Sequence, residues 1–175
     1  GGYSQTATIS AQKNWLCREF GQEAGEKLLP VMLEFYRLCG IRKPEFMGWN
    51  QVELDKRKYT KGWSPVENTD FSLTEFGGEL DRYLESYDAI KKIVSEVESV
   101  IPQGRKDAFF AQIKYPVFGA AAMSVKMLEA QRARCIFPGS CDTTLWTRED
   151  RLMAACAKSI RAYQEIRELT DYYIK

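Results

Sequence analysis

Histidine is absent from the 175 residues, and that single gap removes several chemistries at once. Ser-His-Asp and Cys-His catalysis need an imidazole as base, and a His-ligated metal needs it as a ligand. Cysteine is sparse as well: Cys17, Cys39, Cys135, Cys141 and Cys156 show no C-x-x-C spacing and do not read as a zinc set. Neither a metal nor a cofactor is expected. Cys17, Cys39 and Cys156 fall in apolar helical segments as small core residues. Cys135 and Cys141 flank a loop, where they could pair in an oxidising compartment. Neither sign of charge dominates. The formal net charge is +1 with no block of like charges, so nucleic acid, which needs a clustered basic surface, is not an expected partner. No apolar run approaches the roughly 20 residues of a membrane span, and no membrane partner is expected. The chain opens "GGYSQ" with neither a methionine nor a signal peptide. Its natural N-terminus is therefore expected to lie upstream.

What the chain does have is helical periodicity. Apolar residues make up 45% and charged residues 28%, enough to build the core of one domain over 1–175. Phe76, Leu80, Tyr83, Tyr87, Ile90, Val94, Val97 and Ile101 recur at 4-3-4-3-4-3-4, a heptad stripe that predicts one long helix. Ser72 and Glu75 form a capping box before it, with Phe71 and Phe76 as a hydrophobic staple. Gly77 and Gly78 weaken the first turn by about 1 kcal/mol each relative to alanine. Pro102 and Gly104 end the helix.

A second long helix is predicted over 106–134, with Pro116 in its middle. Phe109, Ile113, Pro116, Ala120, Met123, Met127 and Ala130 run 4-3-4-3-4-3. The stripe keeps phase across the proline, which predicts one continuous kinked helix. Gly119 to Ala122 then let another backbone come close, either as packing geometry or as a hinge. A third helix over 148–173 is capped by Thr147, with Leu152, Cys156, Ile160, Tyr163, Ile166 and Thr170 as its apolar face. It has no stop signal before the chain ends, so a continuation is expected. The N-terminal third holds a helix pair, 11–20 and 23–39, broken at Gly21 and stopped at Gly40. In the second of these, Ala24, Leu28, Val31, Phe35 and Leu38 make one stripe. Leu29, Met32, Tyr36 and Cys39 make another. No segment alternates long enough to be a strand. The expected fold is all-α: an antiparallel bundle of three long helices plus the N-terminal pair. A long ordered loop over 41–71 and an inter-helix loop over 135–147 complete it.

Without histidine, catalysis would fall to carboxylates, lysine, tyrosine or cysteine. Glu85, Asp88, Glu96, Glu98, Glu165 and Glu168 lie on helix faces that read as solvated, and Asp81 with Glu85 is a like-charge i,i+4 pair. No pair of carboxyl groups faces across a pocket, as glycoside hydrolysis requires. No catalytic residue is expected. The 41–71 loop is richer: Arg42, Lys43, Glu45, Phe46 and Trp49 fall within eight residues, and Trp63 follows in "KGWSP". Rings beside arginine and carboxylate suit a sugar or a uronic acid, and they equally suit anchoring the loop. Arg42, Lys43, Glu45, Trp49 and Trp63 are the candidates for substrate or partner contact.

Three stretches together resemble the helical domain of family 115 glycoside hydrolases. They are "FGQEAGEKLLPVMLEFYRLCGIRKPEFM" (Phe20 to Met47), the "FSLTEF" helix start, and "IPQGRKDAFFAQIKYPVFGAAAM" (Ile101 to Met123). The resemblance covers nearly the whole chain, and "DYYIK" falls where that family continues into a β-rich domain. Its members are xylan α-1,2-glucuronidases that release glucuronic acid or its 4-O-methyl ether. Their catalytic residues lie on a (β/α)₈ barrel N-terminal to the helical domain, which is not in this chain. The resemblance thus implies a helical accessory or dimerisation domain, inactive by itself. Its partners would be the parent's other domains, a second copy, and glucuronoxylan through the parent. A periplasmic or secreted location would follow. Arg42, Lys43, Pro44 and Glu45 fall on the family's R-K-P-E-like turn. Gly77-Gly78 and the insert "CIFPGSCDTTLW" depart from it. The alternative is a free-standing helical interaction module.

Overall fold

The computed structural model describes residues 5–44, 47, 68–136 and 145–174. Its helices are α1 (Gln5–Phe20), α2 (Gln22–Ile41), α3 (Glu79–Glu98), α4 (Lys106–Phe109), α5 (Tyr115–Ile136) and α6 (Leu145–Ile174). A 3-10 turn, Gln103–Arg105, precedes α4, and a π-helical turn, Phe110–Lys114, joins α4 to α5. The fold is all-α, as the periodicity implies, with no strand among the described residues. None of the described helices is long and apolar enough to cross a membrane. The chain divides into two compact units, 1–41 with 85–118 and 42–84 with 119–175.

In the first unit α1 and α2 are separated only by Gly21, whose φ of +95° is open to glycine and costly for other residues. The two helices then lie so close at Gly25 that an added Cβ would stand 2.5 Å from the Cys17 amide nitrogen. Ala24, Leu28, Val31, Phe35 and Leu38 are buried, as the first α2 stripe predicts. The second stripe fails: Met32 is buried, but Tyr36 is 55% exposed. The helix also runs through Gly40 to Ile41, one residue into the loop assigned from the sequence. Tyr87, Ile90, Val94, Val97 and Ile101 are buried at heptad spacing. Phe20 meets Phe109 edge-on at 5.7 Å. Lys114 Nζ pairs with Glu98 at 2.7 Å, and Lys91 lies over the Phe118 ring. One run ascends as the other descends, so these two segments are antiparallel.

The sequence and the structure differ at the start of α3. Ser72 Oγ does accept from the Glu75 amide at 2.9 Å, but the helix begins only at Glu79. Phe76, Gly77 and Gly78 all have positive φ, so they form a left-handed turn and not a weakened first helical turn. It is Glu79 whose carboxylate accepts from the Ser72 amide, at 3.2 Å. Phe76 is 73% exposed. Phe71 packs on Tyr83 at 4.6 Å instead.

The run from α4 to α5 is continuous through Pro116, as predicted, but its phase is not preserved. The buried positions are Phe109 and Ile113, then Val117, Ala120 to Ala122, Ser124, Leu128, Glu129, Gln131 and Ala133. Ala120 stays on the heptad stripe, but Pro116, Met123, Met127 and Ala130 are only half-buried, and Val117, Ser124, Leu128 and Gln131 each lie one residue later. A π turn takes about one residue more than an α turn, and the turn at 110–114 supplies that slip immediately before the proline. Other boundaries shift as well. Helix α5 reaches Ile136 and α6 starts at Leu145, so the inter-helix segment is shorter than 135–147 and Thr147 is inside the helix.

In α6 the buried positions are Ala155, Ala162 and Leu169, while Met153, Ile160 and Tyr163 are 70%, 58% and 49% exposed. Of the expected face, Cys156, Ile160 and Tyr163 are exposed and Leu152, Ile166 and Thr170 only half-buried, so it is not the most closely packed one. Ser159 Oγ donates to the Lys126 carbonyl at 2.8 Å. Alanine and serine let α6 approach α5, and the larger side chains are carried to its flank.

Candidate functional site

The second unit contains a cleft of about 760 Å³ between the 68–74 segment, the last turns of α5 and the first half of α6. One wall is set by Gln131, which is 3% exposed. Its Oε1 accepts from the Thr69 amide at 2.7 Å and from Thr69 Oγ1 at 2.6 Å. Its Nε2 donates to the carbonyls of Thr69 and Phe71. A single buried amide therefore spends its donors and acceptors tying an irregular segment to a helix, which removes the cost of burying it. Arg134 Nε donates to Asn68 Oδ1, and Asn68 Nδ2 donates to Cys135 Sγ, extending the same attachment. Burial pushes the Arg134 guanidinium below the usual arginine range.

The charges sit beside this tie. Glu129 carries a side chain only 4% exposed and accepts from Arg132 Nε at 3.0 Å. Lys158 Nζ stands 3.5 Å from its other oxygen. The Arg132 fork also pairs with Asp81. Burial works against the Arg132 charge, but the Asp81 and Glu129 carboxylates outweigh it and hold the guanidinium above its ordinary range. Arg151, Leu73, Thr74 and Ala154 complete the walls. Such a cleft offers hydrogen-bond acceptors, donors and aliphatic surface within one small-molecule-sized volume.

Of the residues chosen from the sequence, Arg42 and Lys43 lie just beyond α2. Arg42 is half-buried and Lys43 exposed, and the Arg42 carbonyl accepts from Tyr83 Oη at 3.5 Å. Glu45, Trp49 and Trp63 lie outside the described residues, as does Cys141. Cys135 is a free thiol. No cluster able to hold a metal ion occurs among the described residues. Glu129, Arg132 and Lys158 are not among the residues chosen from the sequence, where each is one polar residue on a helix. The available signal was Glu129 itself, a carboxylate inside the small, apolar stretch "GAAAMSVKMLEAQ".

No protein-family profile matches the chain. No curated protein matches it either. A solved structure does, at 35% identity and a TM-score of 0.70 over 94% of this chain. It is described as a family GH115 4-O-methyl-alpha-glucuronidase with specificity for decorated arabinogalactans. This chain is similar to part of a glycoside hydrolase. That part is 19% of the solved chain, so the likeness concerns one stretch of a much longer protein.

Proposed function

We propose that this chain is a helical domain of a family GH115 α-glucuronidase, serving packing and dimerisation in the parent and carrying none of its catalytic groups. The observation that supports this most is the likeness over 94% of this chain to a stretch that is 19% of a glucuronidase. The lack of histidine fits the same reading. Glycoside hydrolysis needs two carboxyl groups held across the scissile bond. The buried Glu129 and its neighbour Asp81 are instead both committed to Arg132. The parent's substrate would be a plant polysaccharide bearing glucuronic acid or its 4-O-methyl ether. Arabinogalactan and glucuronoxylan are the two to try.

Arg42, Lys43, Glu45, Trp49 and Trp63 remain the contact residues of this proposal. They would act either at the rim of the parent's active site or at a contact between copies. The test compares Glu45→Ala, Trp49→Ala and the exposed control Glu168→Ala in the longer protein, scoring uronic acid release and oligomeric state. The first two should be impaired and the control unchanged. Equal behaviour of all three reduces the loop to an anchor, and turnover by the 175-residue chain alone overturns the accessory role.

A further inference from the structure

Helix α6 carries an apolar row that its own fold leaves in solvent. Met153, Cys156, Ile160 and Tyr163 follow one another at 3-4-3 spacing. Met153 is 70% exposed, Ile160 58% and Tyr163 49%, and Cys156 is exposed as well. Ala155, Ala162 and Leu169, which pack within the fold, form a different row of the same helix. Single exposed apolar residues are ordinary, but a heptad-spaced row of them is the seam that a second helix fills.

The two ends of the row say what that second helix is. The same spacing reaches Glu149 before Met153 and Arg167 after Tyr163, and both are exposed. A row that is acidic at one end and basic at the other matches itself only when reversed. In an antiparallel pair centred between Cys156 and Ile160, Glu149 faces Arg167 of the other copy, Met153 faces Tyr163, and Cys156 faces Ile160. The two-fold symmetry forms every one of these layers twice. Parallel pairing would instead set Glu149 against Glu149 and Arg167 against Arg167. Sliding the antiparallel pair by one heptad puts Glu149 opposite Ile160, or Arg167 opposite Cys156, and leaves a charge in the seam without its partner. We propose that α6 is the seam of an antiparallel dimer of this chain, held in register by Glu149–Arg167 pairs at both ends. This deepens the dimerising role proposed above, rests on that reading for its place in the parent, and gives it a surface apart from the 41–71 loop.

Sedimentation equilibrium of the 175-residue chain over a range of concentrations tests the pairing. The unaltered chain should show a reversible monomer–dimer equilibrium. Ile160→Asp should leave it monomeric with an unchanged helical spectrum, because that side chain is exposed in the single copy. Glu149→Arg and Arg167→Glu should each weaken association about tenfold, since like charges then meet at both ends. Combining the two reversals should restore it. The two positions are about 27 Å apart on one helix, so restoration reports contact between copies. A monomer at every concentration overturns the proposal, as it would if another domain of the parent is what covers the row. A dimer indifferent to either reversal, or not restored by the pair of them, overturns it too. Loss of this dimer leaves the likeness to a glucuronidase standing, and turnover by the isolated chain would remove the accessory role without touching the dimer, so either reading can fail without the other.

Discussion

Gly25 leaves no room for a side chain. A methyl group there would lie 2.5 Å from the Cys17 nitrogen and 2.6 Å from its Cα, both backbone atoms that cannot swing away. Gly25→Ala should therefore force α1 and α2 apart and destabilise the protein by about 1–3 kcal/mol, a loss visible in a chemical denaturation curve. Gly77 and Gly78 act differently: a Cβ would meet nothing at Gly78 and only ordinary contact with Arg82 at Gly77, but φ is +69° at Gly77 and +68° at Gly78. Alanine at either should cost about 1–2 kcal/mol through backbone strain alone. Charge gives a further residue-level expectation. The Lys27 ammonium beside Glu23 holds that carboxyl below its ordinary range. Its small stabilising contribution is thus present at neutral pH and lost only as acid takes the pH down through the lowered value. Lys27→Ala should return the Glu23 titration, followed by carboxyl-carbon NMR, to that of an ordinary glutamate. At this scale Gly21 was legible as a break, because its positive φ serves a turn between two helical patterns. The need for Gly25 was not, because it depends on which residue of the neighbouring helix lies opposite.

The π turn at 110–114 decides which face of α5 is buried. Because it slips the phase by one residue, Val117 is fully buried and Pro116 only partly. Val117→Ala should then cost about 2 kcal/mol as a core deletion. Pro116→Ala should fold and shift stability by no more than ~1–3 kcal/mol, since regained helix propensity and lost fit oppose each other. Hydrogen exchange on both variants, with protection continuous across 106–136, would check the order. Pro116 flags a disturbance but cannot say whether a kink or an extra residue absorbs it. Helix α6 teaches the same lesson, since its largest apolar residues suggested the wrong face. Which stripe packs depended on how closely α5 could approach, and that favoured Ala155, Ser159 and Ala162.

For the molecule as a whole, far-ultraviolet circular dichroism should show a nearly pure helical spectrum, and appreciable sheet signal would contradict the fold. The helical class, the continuous passage through Pro116 and the heptad core from Leu80 to Ile101 were determined by the sequence alone. They rest on local spacing, and a stripe recurring over many turns leaves one way to bury itself. The exclusion of histidine chemistry was determined in the same way, from composition. The tertiary structure alone decided where the polar groups meet. Glu129, Arg132 and Asp81 are 51 residues apart at the extremes, and Gln131 reaches back 62 residues to Thr69. Read in order, each is an ordinary polar residue on a helix. A cleft containing a buried carboxylate exists only because folding removes water from Glu129 while bringing Arg132 and Lys158 within reach of its two oxygens.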